Sequence, residues 1–269
     1  MYQRKKISLV LVLVLMLSVV VLAGCGKDSQ EDKSLNRLEE ISESGTFTVV
    51  GSGGYPPFNF FEGEEVVGFD VDTGKAIAEK LGVELNYVTS DWDGLIEGLR
   101  AGRFDGILGS MAITPERSEV VNFTIPYYYS GAQLVVREDS GITDTNQMEG
   151  KIIGVATGTT FAEDAEALGA EVKLYQDDNQ TFMELINGRL DGVITDRLVA
   201  LGGMEQIAGG EELMLAGDLL RLEEIAIAVN KDDVELLEKL NEILTELHED
   251  GTMTEVSKKW HNGEDITVK

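Results

Sequence analysis

The chain has 269 residues and a formal net charge of −27, from 49 acidic and 22 basic residues. This length suits one large domain or two small ones, and so acidic a surface argues against a nucleic-acid partner because it repels the phosphate backbone. Cys25 is the only cysteine, which excludes an intrachain disulfide and a thiolate metal cluster. The only two histidines, His248 and His261, lie near the C-terminus, and we expect neither a metal site nor a cofactor.

Residues 1–24 are predicted to be a secretory signal. Basic residues at positions 4–6 precede an apolar run that is too short for an ordinary membrane span. The run ends in LAGC (22–25), which resembles a bacterial lipobox, a motif whose cysteine is lipidated once the signal has been removed. A plain signal peptide with an incidental cysteine is the alternative. We expect an extracytoplasmic protein, anchored by lipid on Cys25 to the outer face of the cytoplasmic membrane.

A polar segment follows, and then one pattern occurs twice. Residues 25–42 are predicted to form a flexible tether with a short helix over Leu35–Ile41. Each copy of the repeat reads β-α-β-α-β, with short apolar strands typical of a parallel sheet covered by helices. The matching segments are GTFTVVGSGGY (45–55) with GKIIGVATGTTF (150–161), LGVELNYV (81–88) with LGAEVKLY (168–175), and GLRAGRFDGILGS (98–110) with LINGRLDGVITD (185–196).

The duplication predicts two α/β lobes that face each other across a cleft. Right-handed crossovers bring the carboxyl ends of the strands to one edge of each sheet, and ligands bind at that edge. Ser110 and Asp196 follow equivalent strands but differ in chemistry, so we expect both to face the cleft. Asp105 and Asp191 fit turns before buried strands and are given no ligand role.

The C-terminal part is predicted to return to the first lobe. Residues 223–233 suggest one more strand, followed by helices over Val234–Glu249 and Met253–Trp260. The chain then crosses between lobes near 131–135 and 222–226, and two crossing strands make a hinge. The predicted boundaries are residues 43–131 plus 226–269 for lobe 1 and 132–225 for lobe 2.

Three segments resemble the bacterial extracellular amino-acid-binding proteins that supply ABC importers: GFDVDTGKAIAEKLG (68–82), DWDGLIEGLRAGRFDGILGSMAITPERSEVVNFTIPYYYSG (91–131) and DGTMTEVSKKW (250–260). The resemblance extends from Gly45 to the C-terminus. It implies a type II periplasmic-binding-protein-like α/β fold with two three-layer lobes joined by a two-strand hinge. It also implies a monomeric, non-enzymatic receptor that closes on an amino acid and delivers it to an ABC transporter permease.

Two charged residues are candidates for the two ends of an amino acid. Arg117 suits the carboxylate because a guanidinium binds two oxygens at once, and the resemblance gives this residue the same role. Thr114 and Pro115 predict that a helix begins just before it. Asp196 matches the family residue that binds the ammonium. The alternatives are ion pairs with the sequence neighbours Glu119 and Arg197.

Other candidates come from both lobes. Thr159 and Thr160 precede a helix beginning at Phe161, whose free N–H groups can accept a carboxylate; the alternative is that these threonines only cap the helix. By the resemblance, Tyr55 and Trp92 sandwich the ligand side chain. The backbone of Ser110 and the amide of Ala112 complete the contacts from lobe 1, and Ser52 faces the ligand side chain.

The ligand side chain is predicted to be uncharged and polar. Many relatives have Ser or Thr in place of Ala112, and relatives that bind basic side chains often have Asp in place of Ser52. Glu62, Glu64 or Glu65 would have to reach the cleft to supply a replacement carboxylate.

Two other functions stay open. A cyclohexadienyl dehydratase shares this fold and needs a general acid, for which Glu224 is the candidate. A ligand-sensing subunit of a separate signalling receptor is the other. Asp70 and Asp72 in GFDVD are predicted to cap a helix. GSGG (51–54) lacks the spacing of a dinucleotide site, which we reject.

Overall fold

A computed structural model describes residues 35–269; the signal, Cys25 and most of the predicted tether lie outside the described residues. Helix α1 (Arg37–Ser44) begins at a capping box, in which Asn36 Oδ1 accepts the Glu39 N–H at 3.0 Å. It runs three residues beyond the predicted end at Ile41, and Ile41 packs into the core. Residues 37–42, predicted as part of the tether, are therefore helical and docked.

The first copy of the repeat supplies three adjacent strands, from one edge inwards, of a five-stranded sheet. Its elements, in chain order, are β1 (Thr46–Gly51), β2 (Gly54–Tyr55), β3 (Asn59–Glu62), β4 (Glu65–Val67), α2 (Phe69–Leu81), β5 (Glu84–Thr89), α3 (Leu95–Arg100) and β6 (Gly106–Ile107). Strand β1 lies between β5 and β6 and is parallel to both, as the pattern predicts. Strands β2–β4 form a separate antiparallel sheet between β1 and α2, which the sequence analysis did not predict.

The second copy repeats this arrangement. After α4 (Pro115–Val120), β7 (Val121–Phe123) and β8 (Tyr128–Arg137), the chain forms β9 (Ile152–Ala156), α5 (Phe161–Ala167), β10 (Glu171–Tyr175), α6 (Asp178–Ile186), β11 (Gly192–Asp196), α7 (Arg197–Gln206) and β12 (Leu213–Ile225). Strand β9 lies between β10 and β11 and is parallel to both. The two copies therefore share one strand order, and the predicted β-α-β-α-β units are confirmed.

Strands β8 and β12 form a long antiparallel ribbon that connects the lobes. The ribbon belongs to the second sheet, and its last pair, Tyr128 and Ile225, adjoins the first. There the Tyr127 N–H donates to Ile225 O at 2.9 Å, and the Ala226 N–H donates to Met111 O at 3.1 Å. The chain then enters β13 (Ala228–Asn230) in the first sheet. The single strand predicted for 223–233 is therefore divided between two sheets.

The C-terminal helices cover the first lobe. Helices α8 (Val234–Glu249) and α9 (Thr252–Trp260) confirm the prediction, and α8 buries one leucine-rich face against β1 and α2. Phe58 stacks on Tyr128 with ring centroids 4.7 Å apart, which fastens the start of β8 to this core. Within residues 35–269, every helix is too short or too polar to cross a bilayer.

Candidate functional site

A cavity lies between the lobes, at the carboxyl ends of the parallel strands. Its volume is about 100 Å³, counted as the space that the centre of a water molecule can occupy. One water needs about 10–15 Å³ on this measure, so the cavity has room for a small organic molecule. All nine residues that the sequence analysis assigned to the ligand line it: Ser52, Tyr55, Trp92, Ser110, Ala112, Arg117, Thr159, Thr160 and Asp196. The other lining residues are Gly54, Ser90, Asp91, Ala156, Phe161, Gln176, Asp177, Asp178 and Glu223.

Arg117 provides the basic group of this cavity. Thr114 Oγ1 accepts the Arg117 N–H at 3.1 Å, which confirms the predicted helix start. The guanidinium donates to Ala112 O at 2.9 Å and to Gly158 O at 3.2 Å. Its alternative partner, Glu119, is not within ion-pair distance, nor is any other carboxylate of residues 35–269. Burial lowers the pKa of Arg117 from its ordinary value, and the group still remains charged near neutral pH.

Among residues 35–269, two side-chain hydrogen bonds cross the cleft. Arg117 on lobe 1 reaches Gly158 O on lobe 2, and Gln176 Nε2 on lobe 2 donates to Asp91 Oδ1 on lobe 1 at 3.2 Å. The lobes are therefore in direct contact near Trp92 at the edge of the cavity, which is the closed arrangement that hinge motion would produce.

Asp196 faces the cavity from the other lobe. It ends β11 and caps α7, because Oδ1 accepts the N–H groups of Leu198 at 2.7 Å and Val199 at 3.2 Å. Both backbone bonds use Oδ1; the Ser130 hydroxyl also lies beside the carboxylate, and the ionised group can still accept from a cation. Arg197 donates to Gln133 instead of pairing with Asp196. Burial, and then the charge of Glu223, raise the pKa of Asp196 to about 7.

Glu223 is a cavity residue that the sequence analysis missed. Its side chain is 3% exposed and pairs with Arg221 at 2.6 Å, and Thr160 Oγ1 donates to it at 3.2 Å. Arg221 also donates to Thr160 and pairs with Asp164 at 2.9 Å. Thr160 makes no capping bond in α5, and the Thr159 hydroxyl returns to Ala156 O at 2.7 Å. Capping by these threonine side chains, the predicted alternative, is therefore absent from this part of the structure.

Strand alternation explains why Glu223 was missed. Side chains two residues apart share one face of a strand, so Arg221 and Glu223 lie together while Glu224 lies opposite. Glu224 is half exposed, pairs with Lys269 at 2.6 Å and does not line the cavity. The proposed general acid of the dehydratase alternative was therefore wrongly chosen.

Aromatic side chains supply apolar walls. Trp92 follows β5 at the cavity edge, and its ring lies 5.5 Å from Arg117 Cζ, within cation–π range. Tyr55 packs against Phe58 with ring centroids 5.9 Å apart, and burial raises the pKa of Tyr55 well above its ordinary value. Phe161 lines the cavity from lobe 2 and lies 5.9 Å from Arg221 Cζ.

Asp70 and Asp72 are not the helix caps that the sequence suggested. The N-cap position of helix α2 is Gly68, which has no side chain to cap the helix. Both aspartates lie further along, inside the first turn. Asp70 is buried beneath the cavity, whereas Asp72 binds Lys75 and Trp260. Hydrogen bonds from Lys259 and Lys75 outweigh burial and lower the pKa of Asp72.

Three further carboxylates line the cavity, and they lie in segments whose polar sequence is typical of surface turns. Asp91 follows β5; Asp177 caps α6 through the Gln180 N–H at 2.9 Å; Asp178 begins that helix. Burial raises the pKa of Asp178 to about 6. Glu62, Glu64 and Glu65 are exposed and do not line the cavity. In residues 35–269, acidic, Cys and His side chains do not gather in threes as metal ligands.

Comparison with known proteins identifies the family. Residues 47–263 match the model of the bacterial extracellular solute-binding proteins, family 3. The chain belongs to this family. It is 32% identical over 257 residues to the L-cystine-binding protein TcyJ of Escherichia coli (strain K12). That alignment covers 93% of this chain and 94% of TcyJ.

Solved structures of this family share the fold. A mutant of ArgBP from T. maritima, a protein also solved in an arginine-bound form, superposes with a TM-score of 0.79 at 36% identity, covering 84% of this chain and 99% of that one. The ancestral amino-acid-binding protein AncCDT-1, a precursor of cyclohexadienyl dehydratase, has a TM-score of 0.77 at 32% identity, covering 83% and 98%. The fold is thus the two-lobed type II periplasmic-binding-protein fold, as the sequence predicts.

Proposed function

We propose that this family 3 protein captures one amino acid between its lobes and delivers it to an ABC transporter permease. The observation that carries the proposal is the opposition of Arg117 on lobe 1 and Asp196 on lobe 2 in a single cavity. A desolvated zwitterion needs one cation and one anion at its two ends, and these two residues supply them.

Binding and closure are coupled in this proposal. The ligand carboxylate binds first to Arg117, because that side chain has no carboxylate partner among the described residues. Closure then brings Asp196, Thr160 and Glu223 onto the ligand. A ligand stabilises the closed state only through contacts that the open state lacks, so these groups on lobe 2 are the ones that drive closure.

We further propose that the ligand side chain carries a positive charge. The uncharged ligand suggested by Ser52 did not take account of Asp91, Asp177 and Asp178. Asp178 lines the cavity as a buried carboxylate that forms no ion pair within residues 35–269, and a cationic ligand group beside it would offset the cost of its burial. Arg117 is the basic residue against five acidic ones in the lining. The arginine-bound form of ArgBP agrees with this choice.

A thermal-shift panel of common amino acids, with ornithine, citrulline and cystine, tests the proposal. A ligand at a hundred times its Kd adds about 2.7 kcal/mol, which raises Tm by several degrees for a domain of this size. We expect L-arginine, L-lysine or L-ornithine to do so, and Arg117→Ala to abolish the shift. If no amino acid raises Tm, the proposal of amino-acid capture is overturned. If glutamine or serine alone raises Tm, only the proposal of a cationic ligand side chain is overturned.

The enzymatic alternative is tested in the same samples. AncCDT-1 connects this fold to a dehydratase, but Glu224, the acid chosen for it, lies outside the cavity. We expect prephenate neither to stabilise the protein nor to be consumed. Turnover of prephenate would replace the binding proposal with the enzymatic one, and binding of a separate receptor domain would favour the signalling alternative.

The location follows from the family and from the N-terminal sequence. We propose that Cys25 is lipidated and that this lipid holds the chain at the outer face of the membrane. We also propose that the chain is a monomer. Metabolic labelling with an alkyne fatty acid would mark the protein and leave Cys25→Ser unlabelled. Equal labelling of both would contradict the anchor.

A further inference from the structure

Asp70 is a buried carboxylate that does not itself line the cavity. Its side chain is fully buried in the first turn of α2. It accepts hydrogen bonds from Asn59 Nδ2 at 2.7 Å, Ser110 Oγ at 2.9 Å and Tyr127 OH at 2.7 Å. Across residues 35–269, it forms no ion pair. A buried carboxylate without a cation is costly, so these three donors are what retain it.

Each donor leads to a different part of the cavity wall. Asn59 Oδ1 accepts the Gly53 N–H at 2.8 Å and the Ser52 hydroxyl at 3.3 Å, which fixes the turn after β1. Ser110 has φ = 61°, in the left-handed region that a serine rarely adopts. Its N–H and its hydroxyl are both fixed, because the hydroxyl donates to Asp70 and the N–H donates to Tyr127 OH at 3.1 Å.

The third donor leads to the hinge. Tyr127 precedes β8, and its N–H donates to Ile225 O at the end of β12. One carboxylate thus joins the turn that carries Ser52, the strained Ser110 and the point where the ribbon enters lobe 1. These segments are distant in sequence, and the covalent chain alone does not hold them in register.

We propose that Asp70 is a positioning residue of the ligand site, which holds Ser52 and Ser110 in their binding geometry and ties them to the hinge at Tyr127. This inference rests on the proposed function. A carboxylate suits the role better than an amide because all three neighbours donate, and because the N-terminal end of α2 favours negative charge. In Asp70→Asn, the amide NH₂ replaces one carboxylate oxygen, so one of the donors loses its acceptor or, if it is a hydroxyl, must rotate to accept instead.

The matched control is Asp105→Asn. Asp105 is also a largely buried carboxylate of lobe 1, and it accepts the Thr48 N–H at 2.7 Å far from the cavity lining. Both variants exchange one buried carboxylate for an amide, so both should lose stability. Only Asp70→Asn should change the ligand site.

Isothermal titration at pH 8, where Asp70 is ionised because burial raises its pKa to about 7, measures the effect on the full protein with L-arginine and L-cystine as probes. We expect Asp70→Asn to weaken binding about 10- to 100-fold, from the loss of one or more charge-assisted hydrogen bonds, and Asp105→Asn to change it less than about 2-fold. Ser110→Ala should cost less in the Asp70→Asn background than alone, since the two are coupled. Equal affinities for the two Asn variants, or strict additivity, would overturn the positioning role.

Amide hydrogen exchange in the ligand-free protein separates this inference from the proposed function. Asp70→Asn should speed exchange at Gly53 and Ser110 relative to Asp105→Asn, whether or not either probe binds. If the probes fail but this difference appears, the ligand assignment is wrong and the positioning stands; no difference would refute it. If Asp70→Asn does not fold, Tyr127→Phe removes the hydroxyl that donates to Asp70 and accepts the Ser110 N–H, and it should show the same local change.

Discussion

Replacement of Arg117 is the sharpest perturbation of the proposed site. The guanidinium has five N–H donors, and its bonds to Ala112 O and Gly158 O occupy two of them, so a bidentate bond to a carboxylate remains available. Removal of one member of a buried charge pair costs about 2–5 kcal/mol. Arg117→Ala should therefore raise Kd by about 30- to 5,000-fold.

Arg117→Lys separates charge from geometry. The ammonium keeps the charge but cannot present two parallel donors or span to Gly158 O on the other lobe. We expect its Kd to lie between those of wild type and Arg117→Ala, about 10- to 160-fold above wild type, from a cost of about 1.5–3 kcal/mol for the lost charged hydrogen bonds.

Isothermal titration with the amino acid that gives the largest thermal shift provides the assay. Arg100→Ala is the matched control, because Arg100 is exposed and pairs with Glu97 on α3, outside the cavity lining. Its affinity should equal that of wild type. If Arg117→Ala binds within about 3-fold of wild type, at a cost below 1 kcal/mol, the ligand carboxylate is not held by Arg117 and the reasoning is refuted.

The remaining predictions concern the acidic side of the cavity. Burial raises the pKa of Asp196 to about 7, and an ammonium needs the ionised form of Asp196. Ligand affinity should therefore fall about 10-fold for each pH unit below about 7. Titrations from pH 5 to 8 measure this fall, and a flat profile would argue against Asp196 as the partner of the ammonium. Asp196→Asn keeps the cap of α7, so it should lose affinity and this pH dependence while its Tm changes little; a large fall in Tm would show a mainly structural role. The raised pKa values of Asp70, Asp178 and Asp196 mean that the folded, ligand-free protein gains stability from their protonation, and this stability is lost as the pH rises through about 6–7, so calorimetry should give a higher Tm at pH 5 than at pH 8. The opposite slope would contradict burial of these carboxyls.

Local sequence patterns predicted those parts of the site that strand ends determine. Ser110 and Asp196 follow equivalent strands of two similar units, so the topology alone brings them to facing edges. Thr114 and Pro115 made the start of the helix that carries Arg117 predictable, whereas the ligand role of Arg117 came mainly from the family resemblance. In these cases the neighbouring residues determine the backbone, and the backbone determines where the side chain lies.

Residues that depend on distant pairing were not predictable in this way. Glu223 and Arg221 face the cavity because β12 pairs with β8, and no local pattern gives the register of that ribbon. Asp178 lies in a polar segment that resembles a solvated turn, yet its side chain is buried and lines the cavity. Asp70 resembles a helix cap, and only the approach of Asn59, Ser110 and Tyr127 shows what it binds.

The central claim is that the two ends of one amino acid are held by opposite charges on opposite lobes. The most direct test compares, by titration calorimetry, the amino acid that stabilises the protein with its methyl ester and its deaminated analogue. The account predicts that each analogue binds at least about 30-fold more weakly than the parent, since each leaves one buried charge unpaired at a cost of about 2 kcal/mol or more. If either analogue binds as tightly as the parent, the zwitterion is not what the cleft recognises.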